Sequence, residues 1–376
     1  MRVVHLSTQH PALDVRIFQK ECRTLAEHGF ETHLLVDSPP AEELHGVRMH
    51  ALPRPTSSFR PGRIWRRLSQ AYRVARNLRG DVYHFHDPEL ITIGLMLQQH
   101  GARVIYDVHE HTRQEILLFN KHRPVEKRIK SGAFGMLEEM AKRCLDAFVG
   151  ATPNIASQFP ASRTVLVQNF PMRDDFDQPG EGRPYHERPM QVLYAGGITA
   201  VRGTREMIDA IGLLPDSLNA RFLLLGDFLE RGLLTTVADQ PGWQRTRYLG
   251  WQSRPAMREW LSEARVGLVL YHPDASHVEA YPNKMFEYMA AGLPVVASDF
   301  PLWRQILQET GAGLVADPLD PASIARAIEY LLTHPDEALD MGRRGHAAVL
   351  TRFNWEAEAA KLIALYQSFQ ARRLAA

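Results

Sequence analysis

Strand-like and helix-like segments alternate along this chain from its first residues, and that alternation restricts the fold more than any other feature. Arg2–Leu6 reads as a strand, residues 16–28 as a helix stopped by Gly29, and Glu31–Val36 as a second strand. Repeated strand–helix–strand units build parallel sheets with helices on their faces. The rhythm continues through strands at 81–85, 103–108, 147–151 and 164–167. It breaks at residues 171–189, where Pro, Gly, Asp, Glu and Arg crowd out apolar residues, as in a linker. It restarts at 191–194 and runs through 221–225, 247–250, 266–270 and 313–315, before a long last helix at 353–373. A chain of 376 residues is too long for one core, so an α/β protein of two domains is expected.

Net charge is +1, which excludes a nucleic-acid-binding polycation. The charge is uneven, because residues 54–80 hold eight arginines and no acid. A basic helix at 64–78, with Arg63, Arg66, Arg67, Arg73 and Arg76 beside Ile64, Trp65, Leu68, Tyr72 and Val74, suits an anionic membrane face or a solvated outer surface. Residues 121–130 add a second basic stretch. No apolar run is long enough to span a bilayer, and the N-terminus lacks the pattern of a signal peptide. The expectation is a cytoplasmic protein with at most peripheral contact at the inner face of the membrane. Cys22 and Cys144 have no metal or redox spacing and are expected to be buried, reduced thiols.

In open parallel sheets, ligands bind at the carboxyl ends of strands. The loop after the first strand carries His10, Asp14 and Arg16. Asp14 can cap the next helix, and Arg16 can face either a phosphate or solvent. Two further strands end in titratable residues, His84-Phe85-His86-Asp87-Pro88-Glu89 and His109-Glu110-His111. Alternation sends His84 and His86 to one face and Phe85 to the other. The set His84, His86, Asp87 and His109 is a conceivable metal site, but its spacing places no third ligand, so no metal is expected. His109 is the better candidate for a substrate contact. In the second half, Gly196-Gly197 follows a strand and allows close backbone approach to a ligand, with Arg202 placed to pair with a diphosphate. Residues 279–298 read as a loop, a helix with Pro282 in its first turn, a stop at Gly292 and Pro294, and a buried strand. A helix start can hold a phosphate, and Glu279 and Glu287 flank it with carboxylates suited to sugar hydroxyls.

Glu279 and Glu287, followed by Met-Ala-Ala-Gly-Leu-Pro-Val-Val-Ala-Ser, resemble the signature of the family-4 retaining glycosyltransferases of GT-B fold. Tyr-Ala-Gly-Gly to Arg202-Gly203, Leu-Leu-Gly-Asp, Tyr-Leu-Gly-Trp and Phe353-Asn354-Trp355 agree in order. Phe85-His86-Asp87 and Asp107-Val108-His109-Glu110 resemble a bacterial surface-polysaccharide branch. The resemblance implies two Rossmann-like domains facing a cleft. These are residues 1–170 on the acceptor side and 190–357 on the donor side, joined by the linker 171–189, with a helix at 358–376 returning to the first domain. It implies a hexosyltransferase-type enzyme that needs no cofactor. The donor would be a UDP- or GDP-sugar, and the acceptor a glycan or lipid-linked hydroxyl.

The resemblance assigns the donor sugar to Glu279, the ribose to Glu287, the diphosphate to Arg202 and the transferred sugar's surroundings to His109. Gly196, Gly197, Tyr281, Pro282, Asn283 and Lys284 fall in the donor site, and Trp251 and Gln252 near the base. Gly197 stands where the family usually has arginine, Arg202 where lysine is usual, and Pro282 where many members have glycine. Lys284 or Arg205 is then left to supply a second cation. The first loop lacks the family's paired glycines. Three rivals share the features: a nucleotide-sugar epimerase of the same fold, a non-catalytic glycosyltransferase-like subunit, and a metal-dependent hydrolase built on the histidines.

Overall fold

A computed structural model describes residues 1–52, 60–110, 112–113, 116, 124–173 and 183–374; side chains at 60–64, 124, 275–276 and 372–374 lie outside that description. Arg63, His111, residues 121–124 of the second basic stretch and residues 174–182 of the linker therefore lie wholly or partly outside it. The chain forms two units, Met1–Asn169 with Trp355–Ala376, and Phe170–Asn354.

The first unit is built on eight strands: β1 (Arg2–Leu6), β2 (Glu31–Val36), β3 (Glu43–Leu44), β4 (Val47–Ala51), β5 (Val82–Phe85), β6 (Arg103–Val108), β7 (Ala147–Gly150) and β8 (Thr164–Leu166). Their order is β3-β4-β2-β1-β5-β6-β7-β8, and every pairing is parallel except β3 with β4. Chain order reverses between β1 and β5, which leaves a crevice at their carboxyl ends. Strand alternation sends Val4, Leu6, Tyr83 and Phe85 into one core with residues of the helices Arg60–Asn77, Ile91–Gln98 and Pro124–Cys144. It sends His5 and His84 to the other face, where Tyr366 of the helix Trp355–Leu374 covers them. That helix is tied down at its start, where Trp355 Nε1 donates to Thr24 Oγ1 at 2.9 Å and Glu358 accepts the Gln168 amide at 2.8 Å.

Arg16 is buried rather than facing phosphate or solvent. Its Nε and Nη2 bind the two oxygens of Asp107 at 3.0 and 2.9 Å, and Nη1 donates to the Val167 carbonyl at 2.9 Å. Asp14 caps the helix that presents it, accepting from the Arg16 and Ile17 amides. Glu21 lies against the same pair, 3.0 Å from Arg16 Nε. Burial and the Asp107 charge push the Glu21 carboxyl well above its ordinary range, so it stays neutral. Asp107 remains ionised: burial opposes its charge, but Arg16 and the neighbouring histidines hold it well below the usual carboxylate range. One buried cation thus matches one buried anion. Cys22 is buried as expected; Cys144 is exposed, because it ends its helix at the surface.

Asp87 joins the two loops at the β1–β5 reversal. Its carboxylate accepts from the Thr8 amide at 2.5 Å and the Ser7 hydroxyl at 3.0 Å, and meets His10 Nδ1 at 3.0 Å.

The second unit has six parallel strands, β9 (Gln191–Ala195), β10 (Arg221–Leu225), β11 (Thr246–Gly250), β12 (Val266–Val269), β13 (Val295–Ser298) and β14 (Gly313–Ala316). Their order is β11-β10-β9-β12-β13-β14, the Rossmann order, reversing between β9 and β12. Apolar clusters fill both faces. The helix Asn283–Ala290 lies in one of them. Its Tyr288 packs on Gly267, where a Cβ would come within 2.4 Å of the ring, and the hydroxyl accepts the Ala195 amide at 2.8 Å.

Replacing Arg16 by Met leaves the Asp107 charge buried and unpaired, so a loss of about 3–5 kcal/mol is expected in a urea titration. Asp87 titrates at about 2 against an ordinary 3.8; burial opposes its charge, and His10 and the Thr8 amide outweigh burial. The carboxylate therefore contributes about 2 kcal/mol above pH 4, which is lost as pH falls through 2. Asp87→Asn is expected to be less stable than the parent at pH 7 by that amount, with the gap closing as pH falls from 4 to 2.

Candidate active site

At the β9–β12 reversal, β9 runs into Gly196 and Gly197. Gly196 has φ of 133°, a backbone open to glycine and strained for other residues. Gly226, after β10, sits against it so closely that a Cβ there would lie 2.0 Å from the Gly196 carbonyl oxygen. The two loops therefore pack backbone to backbone. After the turn Ala200–Arg202, Gly203 adopts the left-handed conformation at φ of 68° and fits against the Leu270 carbonyl beyond β12. Loops from both sides of the reversal are locked together in this way.

Two cations meet at this point. Lys284, in the first turn of the helix Asn283–Ala290, is only 7% exposed. Its ammonium donates to the hydroxyls of Tyr194 at 3.1 Å and Tyr271 at 2.8 Å, and lies 4.3 and 4.9 Å from the two ring centres. It sits 3.1 Å from where a Gly196 Cβ would stand. Burial opposes its charge, but the Tyr271 and Tyr194 phenols hold Lys284 above the usual lysine range, so it is charged at neutral pH. Arg202 folds over Gly197: its Nη1 donates to the Gly197 carbonyl at 3.1 Å and lies 2.8 Å from the position of a Gly197 Cβ. The guanidinium is 5.7 Å from the Tyr271 ring centre. The space that a side chain at 197 would need is thus already taken by Arg202.

The helix begins one residue later than the sequence suggests, with Pro282 as its N-cap rather than in its first turn. Asn283 and Glu287 are exposed and four residues apart, hence on one helix face, opposite the buried Met285, Phe286 and Met289. Glu279 is exposed on the preceding loop, which Trp303 holds by donating to the Ala280 carbonyl at 2.8 Å. Tyr281 turns into an aromatic cluster with Phe170 and Phe286. After β11, Trp251 is 71% exposed, whereas Gln252 turns back to its own loop, donating to the Leu249 carbonyl at 2.7 Å. Arg205 is exposed on the helix after Gly203, and its carbonyl accepts from Gln240 at 3.3 Å.

His109 belongs to the first unit, at the end of β6. Its Nε2 lies 2.9 Å from Asp107 Oδ2, and His86 Nδ1 approaches both, at 3.2 Å from Asp107 and 3.3 Å from His109. A relay continues inward from His86 Nε2 to His5 Nδ1 at 3.0 Å, and from His5 to Tyr366 and His84. Burial lowers His5, His84 and His86, which are therefore neutral. His86, Asp107 and His109 are close enough to share a metal ion. Arg16 already binds both Asp107 oxygens and matches its charge, so an added divalent ion would face a buried guanidinium. His84 binds Tyr366 through Nδ1, with Nε2 3.9 Å from Asp107 Oδ2, and Asp87 serves the first loop instead. Sequence reasoning placed His10 on the ligand-side loop after the first strand but gave it no role. It lies 5.2 Å from the His109 ring centre and is raised above its ordinary range by Asp87. Asp87 is 77 residues away in sequence, and only the proximity of the two strand ends brings it to His10.

Residues 16–164 match the family model Glycosyltransferase Family 4, and residues 202–364 match a second, Glycosyl transferase-like. The chain is 22% identical over 367 residues to the D-rhamnosyltransferase WbpZ of Pseudomonas aeruginosa, covering 92% of this chain and 91% of that protein. It is 23% identical over 311 residues to a GDP-mannose:cellobiosyl-diphosphopolyprenol alpha-mannosyltransferase of Xanthomonas oryzae, covering 78% and 77%. In fold it is similar to HepE from Anabaena, solved with UDP, with a TM-score of 0.72 at 13% identity over 98% of this chain and 100% of that one. Two consecutive glycosyltransferase models, similarity over nearly the whole length and a shared fold agree: the chain belongs with the glycosyltransferases of GT-B fold, and its residues 16–164 with Glycosyltransferase Family 4.

Proposed function

We propose that this protein transfers a sugar from a UDP- or GDP-sugar to a hydroxyl of a glycan or lipid-linked acceptor, in cell-surface polysaccharide synthesis. The observation that carries this reading is the pair of cations at the β9–β12 reversal, Lys284 beneath Gly196 and Arg202 over Gly197. In the transfer, the bond from the anomeric carbon to the diphosphate breaks, a bond to the acceptor oxygen forms, and the acceptor hydroxyl's proton passes to the departing diphosphate. The departing diphosphate gains charge, and preorganised cations stabilise it without a metal. The N–H groups at the start of the helix Asn283–Ala290 add to that field.

In this reading Glu279 orients the donor sugar, Glu287 binds the ribose, and exposed Trp251 offers a face to the base. Asn283, beside Glu287, adds a polar contact. Gln252, Tyr281 and Pro282 shape the surrounding loops rather than presenting free polar groups. His109 lies toward the transferred sugar, with His10 beside it on the acceptor side. Retention at the anomeric carbon follows the family to which the chain belongs. WbpZ by name transfers rhamnose and the Xanthomonas relative uses GDP-mannose, while HepE was solved with UDP, so both bases stay within the proposal. None of the described helices is long and apolar enough to cross a membrane. Peripheral contact with an anionic inner membrane surface completes the reading. Arg66, Arg73 and Arg76 are exposed and available to it; Arg67 instead turns inward to Asp37 and the Thr8 carbonyl.

Glu287→Ala is expected to weaken nucleotide-sugar binding by roughly 10- to 100-fold, as befits loss of charged hydrogen bonds. Thermal shifts across a panel of UDP- and GDP-sugars measure it, and a panel that leaves the parent protein's melting temperature unmoved contradicts the proposal. Lys284→Met is expected to lower kcat by about 100- to 1000-fold. Gly197→Arg, which restores the usual family residue, is expected to lower kcat/KM rather than raise it, since the new side chain must displace Arg202.

A further inference from the structure

The helix Pro124–Cys144 is apolar on two sides. Its inner side is accounted for: Ala141 lies in the core of the first unit, and Phe134 and Leu137 pack against that core. Its outer side carries Val125, Ile129, Met136 and Met140, which are 68, 65, 78 and 45% exposed. At about 100° per residue these four fall within an arc of roughly 60°. Gly132 lies about 20° beyond that arc, and a Cβ there would meet nothing within 4 Å among the described residues, so the flank of the stripe is open. A helix that packs on a core by one side normally turns charged and polar residues outward. Here four large aliphatic side chains do so instead, and folding of the unit does not require them.

The surroundings of the stripe are cationic. Its helix holds Lys127, Arg128, Lys130, Lys142 and Arg143 against Glu126, Glu138 and Glu139, and Lys142 engages two of those acids. The helix shares one core, on one face of the sheet, with the helices Ile91–Gln98 and Arg60–Asn77. The first of these exposes Met96 at 45% and the second Trp65 at 71%. The helix Arg60–Asn77 has no acid and also exposes Arg66, Arg73 and Arg76. Of the apolar residues the sequence gives that helix, Trp65 stands in solvent, while Leu68, Tyr72 and Val74 pack on the core with Ala71 and Ala75. A layer that exposes aliphatics and an indole among arginines suits the boundary between anionic headgroups and acyl chains. The stripe is a convex helix face, and its charge complements an anionic lipid surface.

We infer that the Val125–Ile129–Met136–Met140 face of this helix inserts into an anionic bilayer surface, with the arginines of Arg60–Asn77 held over the headgroups. The inference rests on the peripheral membrane contact proposed above and adds an inserting element to it. Attraction by arginines alone is screened by salt, whereas inserted aliphatic side chains resist it.

Co-flotation of the full chain with phosphatidylcholine vesicles, alone or mixed with phosphatidylglycerol, at low and high salt, tests this. The parent protein is expected to float with the mixed vesicles and to keep part of that binding at high salt. Ile129→Ser with Met136→Ser is expected to lower binding at least about 30-fold and to abolish the salt-resistant part. Both positions are exposed, so the melting temperature is expected to stay unchanged. Arg66→Gln with Arg73→Gln is expected to remove mainly the salt-sensitive part. Binding that salt abolishes fully, and that the serine pair leaves unchanged, overturns the insertion while sparing the arginine contact. No flotation of the parent with either vesicle overturns both. A dimer that forms in sedimentation and is lost in the serine pair, without vesicle binding, assigns the stripe to a second copy of the chain and also overturns the inference.

Discussion

Parallel strands leave a protein little choice about where to do chemistry. Helices cover both faces of each sheet, so polar backbone and side chains collect at the strand ends. Where strand order reverses, two neighbouring loops part in opposite directions and open a crevice. Both units of this chain have such a reversal, β1–β5 and β9–β12. Nearly every group assigned a chemical task here lies on a loop or helix start beside one of them. The loops are not held by the sheet alone. Asp87 fastens the first pair through the Thr8 amide and His10, and contacts among Gly196, Gly226, Gly203 and the Leu270 carbonyl fasten the second.

The two units treat buried charge in different ways. In the first, Arg16 and Asp107 neutralise each other, Glu21 keeps its proton, and three histidines stay neutral by burial. The result is a rigid relay behind His109 whose charge is already satisfied. In the second, Lys284 has no carboxylate partner among the described residues. Two phenols and their ring faces hold its charge, and these support a cation without neutralising it. An ammonium kept charged in a nearly dry setting attracts an incoming anion more strongly than a solvated one. That contrast separates a unit whose buried charge is already matched from one that keeps an unneutralised cation at its strand ends.

What the sequence revealed follows from how local each feature is. The strand rhythm, the Gly196–Gly197 turn and the helix after Pro282 depend on neighbours within a few residues, and they were legible apart from boundaries. The Arg16–Asp107 pair spans 91 residues, and neither residue announces it. Arg67 looked like a surface charge because the helix pattern fixes its face only roughly, and Asp37 and Thr8 capture it. The helix Pro124–Cys144 was invisible apart from its basic start, because apolar residues on two sides erase the single-sided period that marks a surface helix. Cys144 was expected to be buried because of its type, yet it ends a helix in solvent.

Gly197 shows how a departure from a family pattern reads differently in space than position by position. The missing arginine suggested half a cationic clamp and, with it, a subunit without activity. In space, the guanidinium of Arg202 occupies the volume above Gly197, and the Lys284 ammonium lies beneath Gly196. Two positive charges are therefore present around the turn, though neither is at position 197. A Cβ at 197 would stand 2.7 Å from the end of the Leu229 side chain and 2.8 Å from that of Arg202, so a larger residue there would have to shift both. Charge at a diphosphate site is a property of the volume around the turn, and the chain can supply it from any segment that the strand reversal brings there.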